Sequence, residues 1–352
     1  MIVFDGHNDT LTRLHRFEGD PRAFIDGTES GQIDLPRARE GGFGGGLFAI
    51  FTDAPEGSPE RDPLYGTEFT PEGYITSERS PIAQVDAEAF TDEIIDFAYQ
   101  LEAECGGQVQ IVSRYSSILR CLDHGVLAMV LHLEGAEAIR DDLSNLYRFY
   151  ERGVRSIGPV WSRPNVFGYG VPFRFPGSPD TGPGLTAAGK ALISACNDLG
   201  ILIDLAHLNA QGFRDVVDLS RAPLVVSHAD VHAISPSTRN LTDAQIDAVA
   251  ASGGIIGINF EVMSTHPQSS IETDVPLRQI TQHIDYIVRR VGVDFVGFGS
   301  DFDGAGMPDD LRDVSRLPNL LRELETLGYG DAALEKIAYG NWLRVLRETW
   351  RD

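Results

Sequence analysis

Cysteine is scarce in this chain of 352 residues, which has only Cys105, Cys121 and Cys196. They form no ligand-like cluster and cannot all pair. A disulfide scaffold is therefore excluded, and the three read as simple buried thiols of a reducing compartment. Basic residues are few as well, 29 against 52 acidic, for a formal net charge of −23. A surface of that sign repels phosphate backbones and anionic headgroups, which argues against nucleic acid and membrane as partners. No apolar run approaches the length of a membrane span. The N-terminus, MIVFDGH, starts at once on a strand with no charged leader or apolar h-region, so a cytoplasmic protein is expected. A Gly-rich phosphate turn after the first strand is missing too, which counts against an open doubly wound sheet.

What is present suffices for a sizeable core, with 42% hydrophobic residues. Short buried-type runs occur near residues 2, 45, 127, 154, 201, 224, 255 and 295, most of them alternating with helix-length segments. Helices are expected over 86–104, 143–151, 185–199 (entered through Thr186 as N-cap), 242–251 and 275–291. Eight parallel strands alternating with helices close into a (β/α)8 TIM barrel, an α/β fold, here as one domain over 1–352. Residues 53–80 and 163–184, rich in Pro and Gly, read as long loops over the C-terminal mouth of that barrel, near the site.

The chemistry concentrates at strand ends. Residues 201–205 and 224–226 are apolar runs that lead into His207 and His228, with a helix-length segment between them and Arg239 just beyond. Adjacent strands lie about 4.8 Å apart, so imidazoles at equivalent strand ends can share an ion. His7 and Asp9 follow the first strand and Glu134 the third. Imidazole and carboxylate without thiolate is the ligand chemistry of Zn²⁺ and related ions in hydrolytic sites. Five ligands are too many for one catalytic zinc, which keeps an open position. Two ions fit better, His7 and Asp9 holding one, His207 and His228 the other, and Glu134 both. Such ions sit about 3.5–4 Å apart around an acidified water.

At these residues the sequence resembles the membrane (renal) dipeptidase family, peptidase family M19 of the amidohydrolase superfamily. The resemblance runs from DGHND at 5–9 through LEG at 133–135, GILIDLAH at 200–207, SH at 227–228 and TRN at 238–240 to GFGSDFDG at 297–304 and GNWLRVL at 340–346. It implies a (β/α)8 barrel with two zinc ions on His7, Asp9, Glu134, His207 and His228. It further implies Asp301 as general acid/base and Arg239 as the residue that binds a dipeptide's C-terminal carboxylate, a task suited to a planar, always-charged fork. A homodimer is what the family suggests. Asp303 reads as structural.

One departure concerns the substrate. Where the family places a carbonyl-polarising histidine after strand four, this sequence has Trp161. An indole donates one hydrogen bond but carries no proton or charge, so Trp161 reads as a wall of the substrate pocket. His132 shares a strand face with Glu134 but lies one pleat repeat deeper. His15, His124, His232, His266 and His283 have no ligand-like setting, and the helical His124 and His283 are expected to be solvated. The expected function is a two-zinc dipeptidase acting on a dipeptide or dipeptide-like small molecule. The alternative is a metal-dependent amidohydrolase acting on an N-acyl amino acid or lactam.

Overall fold

The structure, a computed structural model, describes residues 1–62 and 64–351, so Pro63 in the first long loop and the terminal Asp352 lie outside the described residues. Eight parallel strands carry the fold: β1 (Val3–Asn8), β2 (Phe43–Phe51), β3 (Leu127–Glu134), β4 (Val154–Gly158), β5 (Leu202–Ile203), β6 (Val225–Val226), β7 (Ile255–Ile258) and β8 (Val296–Phe298). Pairing runs β1–β2–β3–β4–β5 and β6–β7–β8. A parallel bridge between Asp204 and Val225 joins the two runs, and another between Asn8 and Phe302 brings the end of β8 back to β1. The result is an α/β fold with a curled parallel sheet of the TIM-barrel type.

The strands read as apolar runs because both faces are covered. Phe4, Leu47, Val130, Leu202, Val225 and Ile255 share one core cluster with Trp342, whose indole N–H donates to the Phe298 carbonyl at 2.9 Å. The helices pack outside, such as Gln84–Glu104 and Ala187–Leu199, the latter capped by the Thr186 hydroxyl as its composition predicts. Thr242 begins Asp243–Ala251 with a capping box closed by Gln245.

The structure departs from the sequence reading in two places. The long segments are partly ordered as strands: Thr67–Thr70 and Gly73–Thr76 form a hairpin extended by Arg174–Phe175 from the second segment. His283 is buried rather than solvated. It accepts from the Val231 N–H at Nδ1 (3.0 Å) and faces the Thr265 carbonyl with Nε2 (2.9 Å). The three cysteines are free and buried. Among the described residues no helix is long and apolar enough to cross a membrane.

Candidate metal centre and substrate cavity

Each strand delivers its last residues to one mouth. His7 is the next-to-last residue of β1 with Asp9 just beyond the strand, Glu134 ends β3, and His207 and His228 follow β5 and β6. Their ligand atoms converge: Glu134 Oε1 lies 3.0 Å from His207 Nε2, 3.6 Å from His228 Nε2 and 3.7 Å from His7 Nε2. His7 Nε2 is 3.4 Å from Asp9 Oδ2. Among the described residues, His7–Asp9–Glu134 and Glu134–His207–His228 each place their ligand atoms within 4.8 Å of one another, and His7–His228–Asp301 forms a third such group.

These residues fit divalent ions. Both ring nitrogens of His7 are buried with no hydrogen-bond partner, an arrangement costly for an imidazole unless something binds there. The Nε2 atoms of His207 and His228 stand 3.1 Å apart, close to the roughly 3.3 Å that two nitrogens span around one tetrahedral ion. Ser162 Oγ contacts His207 Nδ1 at 2.7 Å. The Ser227 hydroxyl donates to Asp204 Oδ2 (2.6 Å), so its oxygen is left to accept from His228 Nδ1 (2.8 Å). That places the proton on Nδ1 and leaves Nε2 bare for a ligand bond.

Electrostatics point the same way. Burial, with Arg239 and His7 adding, holds His207 well below the usual imidazole range, and burial with His7 and Arg239 does the same to His228. Both are thus neutral, the ligating form. Burial opposes charge on His7, but Glu134, then Asp9 and Asp301, outweigh it and push the imidazole up to about 10. Glu134 is itself raised well above the carboxylate range by burial, with Asp9 and Asp301 adding. A pocket of mutually repelling carboxylates calls for cations.

Asp301 sits at the seam of the ring. Its N–H donates to the His7 carbonyl (3.0 Å), and its Oδ2 accepts from the Asn259 side chain (2.9 Å). Burial raises its pKa, with Asp9 adding. Asp301 and His207 both hold left-handed backbone, with φ of 61° and 63°. Non-glycine residues pay for that conformation, and such costs cluster at functional sites. Gly304 closes the turn, and a Cβ there would collide with the carboxylates of Asp9 and Asp301. Asp303 is held by the Thr10 hydroxyl (2.8 Å), the Gln32 N–H (2.6 Å) and the Arg13 guanidinium (3.2 Å).

A cavity of about 670 Å³ opens over these groups and is lined by Asp9, Glu134, Trp161, His207, His228, Arg239 and Asp301, so the eight residues singled out in sequence lie in it or, for His7, beneath it. Arg239 is buried and donates to the His228 carbonyl (2.7 Å). The half-buried Trp161 packs on Phe51 (4.9 Å), Phe173 (5.5 Å) and His207 (5.7 Å). His132 is fully buried below the cavity, bonded to Ser156 Oγ at 2.8 Å and 3.5 Å from Asp204. Four further contributors escaped the sequence reading: Ser162, Ser227, Asn259 and Asp204. Their only sequence signal is a polar residue within a few positions of a strand end.

Comparison with known proteins gives a consistent picture. The model of the membrane dipeptidase family, peptidase family M19, matches residues 1–351. A metallo peptidase from Rhodobacter sphaeroides, solved with a phosphinate mimic of the dipeptide L-Ala-D-Ala, is 40% identical, with 99% of each chain covered and a TM-score of 0.94. A Klebsiella pneumoniae chain described as an uncharacterized protein in the pqqA 5′ region is 45% identical over 72% of this chain and 93% of its own. Dipeptidase tcpJ of Claviceps purpurea is 26% identical over 98% of this chain and 76% of its own.

Proposed function

We propose that this chain, which belongs to the membrane dipeptidase family of metal-dependent hydrolases, is a two-zinc dipeptidase that cleaves the amide bond of dipeptides or dipeptide-like small molecules. The observation that carries this reading is the convergence of five imidazole and carboxylate side chains, among them His7, whose buried ring nitrogens have no hydrogen-bond partner. His7 and Asp9 would hold one ion, His207 and His228 the other, with Glu134 shared. Bound divalent ions supply an acidified water and polarise the scissile carbonyl.

The chain's own residues then have separable tasks. Asp301, anchored through Oδ2 by Asn259, takes the proton of the attacking water and returns one to the leaving amine. Burial favours its protonated form, which suits a group that must give the proton back. Arg239 receives the C-terminal carboxylate as a charge-assisted pair. Trp161, with Phe51 and Phe173, forms an aromatic wall of the cavity. The Rhodobacter relative was solved with a mimic of L-Ala-D-Ala, which supports a dipeptide whose second residue can be of D configuration.

A second reading rests on Trp161. Without a cationic donor at the carbonyl, the site would suit an N-acyl amino acid or a lactam. One assay separates the two: metal analysis of the purified protein, then turnover of L-Ala-L-Ala, L-Ala-D-Ala and N-acetyl-alanine, repeated with Trp161→His. The dipeptidase reading expects bound divalent metal and cleavage of a dipeptide. Turnover of the N-acyl substrate alone would transfer the assignment to the second reading. Absence of metal together with no activity on adding zinc would defeat both.

A further inference from the structure

Glu261 is a charge of the cavity wall that hydrolysis does not use. Glu261 follows β7, its N–H bonded to the Asn259 side-chain oxygen at 2.7 Å, immediately before the turn Val262–Thr265. It lines the cavity together with Arg239 and Asp301. The other charges of the wall are largely matched: Arg16 pairs with Asp53 (2.5 Å), and Arg13 with Asp303 (3.2 Å). Among the described residues no cation stands within ion-pair distance of the Glu261 carboxylate, whose hydrogen-bond help comes from Ser264. Arg239 is the cation whose charge acts on it, and on the dipeptidase reading Arg239 holds a substrate carboxylate.

Barrel order says which part of the substrate Glu261 meets. Phe51 and Trp161 come from β2 and β4, whereas Arg239 and Glu261 follow β6 and β7. In a ring of eight, β2 faces β6 across the mouth and β7 is the neighbour of β6, so Glu261 adjoins Arg239 and Phe51 lies across from both. A dipeptide held by its carboxylate on Arg239 therefore turns its C-terminal residue to Glu261 and its N-terminal residue to the aromatic wall. Building on the dipeptidase reading, we propose that Glu261 binds a cationic side chain on the residue whose carboxylate Arg239 holds, so that the enzyme prefers dipeptides with a basic C-terminal residue. Burial, with Asp301 adding, pushes Glu261 up to about 7. Burial thus works against its charged form, and a bound cation favours it. A neutral side chain of equal length offers no such return.

The test compares L-Ala-L-Lys with L-Ala-L-norleucine, and their C-terminal D epimers, on zinc-loaded wild type and Glu261→Gln. The proposal expects kcat/KM at least about tenfold higher for lysine in wild type, about 1.4 kcal/mol, and loss of that advantage in Glu261→Gln through the lysine substrate alone. Equal loss on both substrates, or a lysine preference that survives the substitution, overturns it. N-acetyl-L-Ala-L-norleucine guards the placement: a Glu261→Gln defect confined to substrates with a free amino terminus would mean that Glu261 holds the α-ammonium, which also overturns it. Calorimetric titration of free lysine and norleucine into the same proteins needs no turnover. A lysine preference there, abolished in Glu261→Gln, sustains the proposal even if no dipeptide is cleaved, and its absence refutes the proposal independently of the dipeptidase reading.

Discussion

Ser227 shows how much of the site depends on the direction of single hydrogen bonds. Its proton goes to Asp204 and its lone pair to His228, so the imidazole presents a bare Nε2 to the metal position. Ser227→Ala should cost about 10–100-fold in metal affinity, read by competition with a chromogenic chelator, while the fold by circular dichroism stays unchanged. Asp301→Asn keeps the hydrogen-bond shape but cannot accept a proton. It should lower kcat about 10²–10⁴-fold at unaltered metal content, and a kcat within threefold of wild type would remove Asp301 from the proton path. The ligand-type residues were legible in sequence because each follows a buried apolar strand, where a polar side chain has few structural reasons to stand. Ser162, Asn259 and Asp204 were not, since their partners lie 45, 42 and 23 residues away and no local pattern marks the pairing.

Elements show the same division. The strands and most helices follow from periodicity and caps, yet the hairpin Thr67–Thr70 and Gly73–Thr76 is extended by the distant Arg174–Phe175, a pairing invisible to any local window. Thr76 N–H donates to the Phe173 carbonyl at 2.9 Å, which ties this hairpin to the wall beside Trp161. Gly73 lets the strands meet: its φ is 156°, and a Cβ would strike the Phe175 carbonyl. Gly73→Ala should therefore raise KM about tenfold with little change in kcat or melting temperature, the signature of a displaced binding wall.

His283 is buried where a place on a helix predicts solvent, because it lies on the stripe Ile280, Ile284, Ile287 by which Arg278–Val291 docks. Burial lowers its pKa from 6.5 to about 4. Between those values the unfolded chain binds the proton and the native one does not, so stability falls as pH drops through that window. At about 1.4 kcal/mol per pKa unit the effect is on the order of 3 kcal/mol. His283→Gln, which keeps one donor and one acceptor but does not titrate, should flatten the stability slope between pH 7 and 4 in denaturant melts; an unchanged slope would show that other groups set it.

At the scale of the molecule, whose net charge is −23, Asp9, Glu134 and Asp301 line one pocket. Cations held there would bind the native state and not the unfolded one, so removing them should destabilise the whole protein. At free zinc about 100-fold above Kd the linkage is about 2.7 kcal/mol. Chelator-treated protein should melt several degrees lower and recover on adding zinc, whereas identical melting curves would place no metal in the native pocket.

The closing contact of the ring has a further consequence, in time rather than space. β1 finds β2 about forty residues later, but its other edge waits for residues 296–302, through Asn8–Phe302 and the Ser300 bonds to Asp5. His7 and Asp9 are made nearly three hundred residues before Asp301. A nascent chain therefore holds an incomplete pocket over that whole interval. Non-local closure of this kind is slow, and it delays the assembly of a complete hydrolytic site until nearly the whole barrel has been made.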